Sequence, residues 1–320
     1  MRQNTILITG GTGFLGKRLA VALKTTNRVI LTGRNNKNNQ KAKDFTGCET
    51  APMDVSSIES VRDGVAEFKP DIIIHAAATK FVDLSERYPM ECIDVNVVGS
   101  QNVARVGMER GVKVVLGIST DKASPPVRNT YGLSKAIMER LFCSMDGKGD
   151  TRFACVRYGN VAWSTGSVLP IWKRMHEKDG VIGTTGPQMR RFFFTVDEAV
   201  KLVMTALENI GTIHGKVLSR KMKAAKIQDI LDLWVREKGG RWQVIEGRPG
   251  ERNDEYLIGD LELPHTGEVI YDGIHHYLIT FNEKVAKPIA FGLSSANTER
   301  LSDQEILSLI NNPPEEELHG

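Results

Sequence analysis

Short apolar runs alternate with longer amphipathic stretches along the first half of the chain. The runs have the length of buried strands, and the stretches between them repeat apolar residues at the spacing of one helix face. The pattern predicts strands at residues 6–9, 29–32, 72–75, 112–118 and 153–156, and helices at residues 14–23, 58–68, 95–109 and 134–145. A regular alternation of this kind favours an α/β fold, in which a parallel sheet carries helices on both faces.

The pattern becomes irregular after Gly159. Glycine-rich turns interrupt it, and two amphipathic helices stand out at residues 196–207 and 227–238. We therefore expect a Rossmann-type, doubly wound domain over residues 1–160. Residues 161–310 are expected to form a smaller, mainly substrate-binding subdomain that is partly interleaved with the first. Residues 311–320 contain two prolines and three consecutive glutamates, so they are predicted to be a solvated tail.

Composition limits the classes of function. The 320 residues are 41% hydrophobic and carry a formal charge of +3, which gives no general attraction to nucleic acid or to an anionic membrane. The first strand begins too early for a signal peptide, and no apolar run reaches the roughly 18 residues that span a bilayer. The four cysteines form no Cys-x-x-Cys pair and are interpreted as reduced thiols. We expect a cytoplasmic protein with no nucleic-acid or membrane partner.

A glycine-rich turn directly follows the first predicted strand and opens the first helix. Glycines at this place allow a tight turn and a close approach of the backbone to a pyrophosphate, and the N-terminus of the helix favours the anion. This context predicts a dinucleotide site that includes Gly10, Thr12, Gly13, Phe14, Leu15 and Gly16.

The end of the second strand selects the dinucleotide in such folds. A carboxylate there binds the ribose of NAD, whereas an arginine accepts the additional phosphate of NADP. Here the strand ends at Thr32 and is followed by Arg34, Asn35 and Lys37, with no carboxylate. We predict NADP rather than NAD; the alternative is a solvated basic turn that prefers neither.

Further cofactor contacts are expected where later strands end. The residues after the third strand are placed to meet the adenine, and the small residues after the fourth strand would lie beside the cofactor. The residues assigned to this part of the site are Asp54, Val55, Ala76, Ala77, Ala78 and Asn96.

Two acid/base sets lie close together between residues 119 and 135. Tyr131 and Lys135 are four residues apart, so they share one face of a helix, where both would also contact the cofactor. At roughly 4 Å the ammonium could supply the ~4 kcal/mol that brings the pKa of a tyrosine from about 10 to near 7. Asp121 and Lys122 follow a predicted buried strand, at the edge where α/β folds build active sites. The sequence therefore predicts an alcohol oxidation and a second proton transfer.

Metal chemistry is not predicted. His275 and His276 are adjacent, and adjacent side chains on an extended segment point to opposite sides. We therefore interpret them as structural histidines.

Several further motifs carry a family resemblance. Together with the glycine turn and the Tyr131–Lys135 pair, they make the chain resemble an extended short-chain dehydrogenase/reductase. More specifically, the chain resembles the soluble UDP-N-acetylglucosamine 4,6-dehydratases of bacterial surface-sugar synthesis. The motifs are Ser119-Thr120-Asp121-Lys122-Ala123, Val156-Arg157-Tyr158-Gly159-Asn160-Val161, Gly166-Ser167-Val168-Leu169-Pro170, Arg191-Phe192-Phe193 and Arg248-Pro249-Gly250-Glu251-Arg252.

The resemblance implies a reaction sequence for these residues. Tyr131 and Lys135 would support oxidation at C4 of a UDP-sugar, and Thr120 would hydrogen-bond the reacting hydroxyl. A neutral Lys122 would then remove the C5 proton, while a protonated Asp121 donates to the departing C6 hydroxyl. Hydride would return to C6, so the product is a 4-keto-6-deoxy sugar nucleotide, with possible inversion at C5.

The resemblance also implies a substrate site and an assembly. Two arginines in it, Arg191 and Arg248, would hold the diphosphate, because guanidinium groups match phosphate oxygens well. A homo-oligomer, either a dimer or a hexamer, is expected. The substrate residues are Lys80, Asn160, Ser167, Val168, Pro170, Arg191, Arg248 and Glu251.

One departure from the family pattern leaves alternatives open. The family places the tyrosine eight residues after the lysine of the Asp-Lys pair, whereas Lys122 and Tyr131 are nine apart. A shift of about 1 Å can cost about 10²-fold in rate. One alternative is a nucleotide-sugar 4-epimerase, which needs no C5 base. The other is a non-catalytic, NADP-binding regulatory protein.

Overall fold

A computed structural model describes residues 3–247 and 249–314 of the chain. Its strands are β1 (Thr5–Thr9), β2 (Arg28–Gly33), β3 (Glu49–Pro52), β4 (Ile72–His75), β5 (Val114–Ile118), β6 (Arg152–Arg157), β7 (Asn160–Val161), β8 (Val181–Thr184), β9 (Arg190–Phe194), β10 (Val217–Arg220), β11 (Lys223–Lys226), β12 (Arg241–Val244), β13 (Tyr256–Ile258), β14 (Thr266–Tyr271), β15 (Ile274–Ile279) and β16 (Leu293–Ser294). Its α-helices are α1 (Phe14–Leu23), α2 (Asn36–Thr46), α3 (Ile58–Phe68), α4 (Val82–Arg87), α5 (Pro89–Ile93), α6 (Gly99–Glu109), α7 (Thr130–Met145), α8 (Val168–Asp179), α9 (Val196–Glu208), α10 (Ile210–Ile213), α11 (Ile227–Lys238) and α12 (Asp303–Asn311). Short 3-10 segments lie at Asp121–Ala123 and Asp260–His265, and a π-helical turn lies at Asp94–Val98.

A nine-stranded sheet forms the centre of the molecule, in the order β3, β2, β1, β4, β5, β6, β10, β15, β14. The first seven strands in this order run parallel to one another. The last two, β15 and β14, add to the edge in antiparallel orientation. After β1 the chain moves outward through β2 and β3 and then returns to β4 on the other side of β1. A crevice therefore opens between the carboxyl ends of β1 and β4, which is the ligand position in doubly wound sheets. This confirms the Rossmann-type α/β fold expected from the sequence.

The central strands are apolar on both faces because helices cover the sheet on each side. Every residue of β5 is buried. One core includes Leu19 of α1, and the other includes Phe142 of α7. Phe14 and Val55, which the sequence assigned to the cofactor site, are buried in these two cores. Full burial of such a side chain contributes about 1.5–3 kcal/mol, so the sheet is the main source of stability.

The predicted elements agree with the structure at most positions. Predicted helices at residues 14–23, 58–68 and 227–238 and the strand at residues 72–75 have the observed bounds. The helix predicted from residue 134 begins at Thr130, because the side chain of Asn129 accepts a hydrogen bond from the Gly132 N–H at 2.8 Å and caps the helix. This earlier start places Tyr131 in the first turn of α7.

The later part of the chain builds three small sheets beside the large one. These are β11-β9-β7, β12-β8 and β13-β16, and α8 and α11 lie among them. Strands β10, β14 and β15 nevertheless join the nine-stranded sheet, so residue 160 does not divide the sheet in two. Asn311 closes α12, so the tail predicted from residue 311 begins within a helix; residues 315–320 lie outside the described part. Across the described residues, no helix combines the length and the apolar character needed to cross a membrane.

Candidate active site

The glycine-rich turn lies where β1 ends beside β4. Gly10 has a φ of +64°, and a Cβ there would lie 2.6 Å from the Cα of Ala77. A Cβ on Gly16 would lie 2.5 Å from the Cα of Gly11, so α1 packs directly on the turn. Among the described residues, no side chain caps α1 and none in its first turn is acidic. Its N–H groups are thus available to an anion, and the turn fits the pyrophosphate of a dinucleotide.

The residues predicted to select the dinucleotide surround the end of β2. Arg34 is exposed, with its guanidinium 3.8 Å from the carboxylate of Glu91, and Lys37 is exposed on α2. Asn35 instead caps α2 through its side-chain oxygen, and the hydroxyl of Thr32 is buried against a β1 carbonyl. Arg34 and Lys37 therefore present cations at this edge, whereas Thr32 and Asn35 stabilise the strand and the helix.

Asp54 and Asn96 organise the loops that border the crevice. The carboxylate of Asp54 accepts hydrogen bonds from the N–H and the hydroxyl of Ser56 at 3.0 and 2.7 Å. The amide of Asn96 is buried; it bonds both the N–H and the carbonyl of Thr79 and also the hydroxyl of Ser134. Because Thr79 directly follows residues 76–78, Asn96 fixes the backbone after β4. Asn96 thus supports this loop, and its direct contact with a cofactor stays a prediction.

Tyr131 and Lys135 lie one helical turn apart at the start of α7. The Nζ of Lys135 donates to the thioether of Met138 at 3.1 Å, and burial lowers the pKa of Lys135 to about 8. Burial raises the pKa of Tyr131 to about 12, although Lys122 and a hydrogen bond with Thr120 act in the opposite direction. The expectation that Lys135 would bring the pKa of Tyr131 near 7 is wrong for this arrangement, because the cost of burying a phenolate exceeds the stabilisation by the surrounding charges.

Asp121 and Lys122 lie in the 3-10 turn that directly follows β5. Oδ1 of Asp121 accepts hydrogen bonds from the Thr120 hydroxyl at 3.0 Å and from the Lys122 Nζ at 3.1 Å. Its Oδ2 has no hydrogen-bond partner among the described residues and lies beside Gly159. Burial raises the pKa of Asp121 even though Lys122 opposes this effect. The carboxyl group is therefore suited to hold a proton and to act as an acid.

Lys122 has a second carboxylate neighbour, Glu255, which the sequence analysis missed. Oε1 of Glu255 lies 3.5 Å from the Nζ of Lys122, and Oδ1 of Asn160 accepts from it at 3.4 Å. Burial alone would lower the pKa of Lys122, but Asp121 and Glu255 outweigh burial and hold it above its ordinary value. The structure therefore corrects the expectation of a neutral Lys122, since the side chain is an ammonium in this arrangement.

A cavity of about 220 Å³ adjoins the Asp121–Lys122 turn. Residues from separate segments line it, and Lys122 reaches it. Pro170, which was predicted to contact substrate, is buried inside α8 instead, and Arg248 lies outside the described residues. The other predicted substrate residues all line the cavity: Lys80, Asn160, Ser167, Val168, Arg191 and Glu251.

Several polar groups in this lining suit a phosphorylated ligand. Partial burial lowers the pKa of Lys80 to about 8, although the residue as a whole is exposed to solvent. The hydroxyl of Ser167, at the N-terminus of α8, is buried with no hydrogen-bond partner among the described residues. Apolar walls come from residues that gave no functional signal in the sequence, including Trp172 and Ile245. The cavity thus combines an apolar surface with a few polar donors, as ligand pockets do.

Arg191 lines the cavity, but its donors bond the protein. Nη1 donates to the carbonyls of Arg190 and Asn253, Nη2 donates to the carbonyl of Arg252 and to a methionine sulfur, and Nε lies 3.9 Å from Glu255. A guanidinium has five N–H donors, so these four hydrogen bonds leave only the Nε–H, which faces Glu255. Arg191 therefore clamps the segment that carries Glu255, and a diphosphate contact would require these bonds to be exchanged.

The lengthened loop between Lys122 and Tyr131 packs against that same segment. Nη1 of Arg252 donates to the carbonyl of Pro126 at 2.9 Å, and the amide of Asn129 donates to the carbonyl of Gly250 at 3.4 Å. Thr120 lies between the two acid/base sets, since its hydroxyl donates to Asp121 and its interaction with Tyr131 lowers the pKa of that phenol. The additional residue is thus accommodated in the loop without separating the two sets.

A buried ion network lies behind the site. The guanidinium of Arg157 donates to both carboxylate oxygens of Glu139, at 2.9 and 2.6 Å, and to both of Glu262, at 2.8 Å each. Ser124, at the end of the 3-10 turn that carries Asp121 and Lys122, donates to Glu262 at 3.0 Å. The network therefore ties β6 and α7 to the loop that follows Lys122.

A family model and several known proteins match this chain over most of its length. A family model described as polysaccharide biosynthesis protein matches residues 6–271. A UDP-N-acetylglucosamine 4,6-dehydratase (inverting) of Campylobacter jejuni is 33% identical over 97% of this chain and 94% of its own length. An uncharacterized membrane protein of Methanocaldococcus jannaschii is 34% identical over 89% of this chain and 92% of its own length.

Proteins named UDP-glucose 4-epimerase are similar at a comparable level. The one from Rickettsia felis is 32% identical over 97% of this chain and 96% of its own length. Among solved structures, Pen from Bacillus thuringiensis superposes with a TM-score of 0.89 at 27% identity and covers 98% of both chains. A UDP-glucose 4-epimerase of Thermus thermophilus in complex with NAD gives a TM-score of 0.68 at 20% identity over 80% of this chain and 91% of its own, which shows a shared fold.

Proposed function

Because the chain belongs to the polysaccharide biosynthesis protein family and has the extended short-chain dehydrogenase/reductase fold, we propose that it is an NADP-dependent 4,6-dehydratase of a UDP-sugar. UDP-N-acetylglucosamine is the proposed substrate, because the dehydratase relative named above acts on it. The product would be a 4-keto-6-deoxy sugar nucleotide, whose C5 configuration the experiment below determines.

The observation that carries this proposal is the hydrogen-bonded pair of Asp121 and Lys122, which lies beside Tyr131. Tyr131 would take a proton from an alcohol once the positive charge of bound oxidised nicotinamide offsets the burial that raises its pKa. Asp121 with Lys122 supplies an acid and a base joined by one hydrogen bond. Oxidation at C4 requires the first set alone. Loss of water across C5 and C6 requires the second set, and Lys122 reaches the cavity in which a sugar would lie.

The residues act in a defined order under this proposal. Tyr131 removes the proton of the C4 hydroxyl, which Thr120 orients. The C4 ketone then acidifies the C5 hydrogen, and Lys122 takes that proton once its own has moved to Asp121. Asp121 gives its proton to the departing C6 hydroxyl, so that water leaves. The role of the bound nicotinamide is to accept hydride from C4 and to supply it to C6.

NADP is the proposed form of the cofactor. The glycine turn and the open N-terminus of α1 fit a pyrophosphate, and Arg34 with Lys37 stands where an additional phosphate on the ribose would lie. The neighbouring solved structures that name a cofactor name NAD, so titration with both dinucleotides decides this point.

The experiment that tests the function is incubation of the protein with UDP-N-acetylglucosamine and NADP in deuterated water. We expect a product lighter by one water, with deuterium at C5, by mass spectrometry and NMR. The Lys122→Ala variant should give no 4-keto-6-deoxy product yet bind NADP normally, whereas Lys148→Ala, a change at an exposed site, should resemble the wild type. Normal product from Lys122→Ala would remove the basis of the proposal.

A 4-epimerase is the second candidate, favoured by the similarity to proteins with that name. It would use Tyr131 but would need neither Asp121 nor Lys122. The same incubation separates the two functions, since an epimerase leaves the mass of the sugar nucleotide unchanged and inverts C4.

We further propose a homo-oligomer in the cytoplasm. Large apolar side chains are exposed on α5 and α7, including Met90 at 71% and Ile137 at 49%, as expected for a surface that meets a second copy. The four cysteines are free in the structure, which suits a reducing compartment.

A further inference from the structure

We propose that Glu255 is a positioning residue for the elimination step: it holds the Lys122 ammonium beside Asp121 and sets how many protons this pair carries at a given pH. The inference deepens the proposed dehydration and rests on it. Nothing in the comparisons assigns a role to Glu255. The residue lies just ahead of the short strand β13, outside the motifs identified in the sequence.

The carboxylate of Glu255 sits among three cations. It is 3% exposed, and its Oε2 accepts from the Nε of Arg252 at 2.6 Å. Its Oε1 lies 3.5 Å from the Nζ of Lys122 and 3.9 Å from the Nε of Arg191. Although burial acts in the opposite direction, these three cations hold the pKa of Glu255 below its ordinary value. Glu255 is therefore a fixed negative charge over the working pH range.

The backbone that carries Glu255 is clamped from β9. Arg190 makes a bidentate pair with Asp254, at 2.6 and 2.8 Å, and Arg191 donates to the carbonyls of Arg252 and Asn253. The N–H of Glu255 donates to the hydroxyl of Ser295 at 3.0 Å. Together these contacts hold the carboxylate of Glu255 close to Lys122.

The chemistry requires the Asp121–Lys122 pair to share one proton. In the resting ion pair the proton is on Lys122; transfer along the 3.1 Å hydrogen bond gives a neutral amine and a carboxylic acid. The amine then takes the C5 proton, the acid protonates the C6 hydroxyl, the C5–H and C6–O bonds break, a C5–C6 double bond forms and water leaves. The pair ends as an ion pair again. A pair with two protons lacks the base, and a pair with none lacks the acid.

Glu255 shifts the pH range over which that one-proton state exists. The groups that face the pair are Glu255, Arg191 and the phenol of Tyr131, with Arg252 behind Glu255. A negative charge at Glu255 favours each additional proton on the pair and raises the pKa of both members. Because the two sites are coupled, both limbs of a bell-shaped profile belong to the pair. Loss of the charge should therefore move both limbs in the same direction, towards acid.

The test is the pH dependence of C5 deuterium exchange and of dehydration in Glu255→Gln, with UDP-N-acetylglucosamine as the probe. We expect both limbs to move to lower pH by about one unit or more. Oxidation at C4, followed through the absorbance of reduced nicotinamide, should keep its rate and shows that the variant is folded. Glu49→Gln is the matched control, because it makes the same change at an exposed carboxylate that pairs with Arg28; its limbs should stay at the wild-type pH.

Each outcome decides the matter. Limbs that stay in place in a folded Glu255→Gln, with only a slower rate, would overturn the proposal and leave a structural role. If that variant does not fold, Arg252→Gln serves instead: it leaves the Glu255 charge less compensated, so the limbs should move to higher pH, and unmoved limbs would again overturn the proposal. A wild type that neither dehydrates nor exchanges C5 overturns the proposed function itself, whereas a dehydrating wild type with unresponsive variants overturns only the role of Glu255.

Discussion

The Nζ of Lys122 lies 3.1 Å from Oδ1 of Asp121, although the two residues are neighbours in the chain. Both residues lie in the 3-10 turn after β5, where Asp121 is buried and the side chain of Lys122 is 15% exposed. An acid and a base are thus joined by one hydrogen bond at the carboxyl edge of the sheet.

Asp121→Asn should stop the reaction after oxidation. Asparagine keeps the shape and the hydrogen bond to Thr120 but cannot supply the proton to the C6 hydroxyl, so we expect dehydration to fall by about 10²–10⁴-fold. Reduced nicotinamide should then accumulate when substrate is added, which absorbance measures. Asp179→Asn, an exposed change at the end of α8, should leave both steps intact. Full dehydration by the Asp121 variant would exclude this carboxyl group as the acid.

Arg34→Ala should weaken NADP binding and leave NAD binding nearly unchanged. A charge-assisted hydrogen bond to the additional phosphate is worth about 1.5–3 kcal/mol, so the Kd for NADP should rise by about 10–100-fold. Fluorescence titration of both dinucleotides measures this difference. Arg28→Ala is a suitable control, since Arg28 is exposed at the other end of β2 and pairs with Glu49. Equal changes in the Kd values for NAD and NADP would show that Arg34 does not bind the additional phosphate.

The sequence predicted those parts of the site that depend on local patterns. The turn at Gly10 directly follows a strand and precedes a helix, and Tyr131 and Lys135 share a helix face. Each of these two signals spans only a few consecutive residues. Glu255 meets Lys122 only because the chain folds back, and no periodicity encodes that contact. The pKa of Tyr131 was mispredicted for the same reason, since its burial depends on segments far away in the chain. Arg191 was recognised by type, yet its donors are occupied by a backbone that the sequence could not place.

Arg157→Met should destabilise the protein strongly. The change would leave the carboxylates of Glu139 and Glu262 buried without their cation, and loss of one partner in such a network costs about 3–5 kcal/mol. Urea unfolding measures the free energy of unfolding. Glu109→Ala breaks the solvent-exposed pair with Arg62 and should cost far less, because water and salt screen the two charges. Similar losses in the two variants would mean that the buried network contributes no more than a surface pair.

The apolar surface on α5 and α7 should hold copies of the chain together. Replacing both Met90 and Ile137 with glutamate would bury charges in that contact, so we expect a monomer by light scattering after gel filtration. Leu261→Glu is the matched control, because Leu261 is 79% exposed in a different part of the fold. A wild-type monomer, or a double variant that still assembles, would contradict this assignment of the surface.

His75 should make the protein sensitive to acid. It is completely buried, with Nδ1 2.8 Å from the Thr9 hydroxyl and Nε2 3.1 Å from the Ser100 hydroxyl. Burial, with a smaller effect of Lys135, lowers its pKa to about 3, against about 6.5 in an unfolded chain. Between these values the unfolded chain binds a proton that the folded protein does not. The free energy of unfolding should therefore fall with decreasing pH, by up to about 1.4 kcal/mol per unit from this residue.

The slope of stability against pH isolates this contribution. Urea unfolding from pH ~6.5 to ~4 should give a shallower slope for His75→Asn than for the wild type, by close to one proton, because asparagine does not titrate in that range. His75→Asn should also be less stable at neutral pH, because the shorter side chain weakens or loses the hydrogen bonds to Thr9 and Ser100. His265→Asn, at a histidine that is only partly buried, should keep the wild-type slope. If His75→Asn keeps the wild-type slope as well, the buried imidazole must take up its proton in the folded state, and the acid sensitivity must come from other groups.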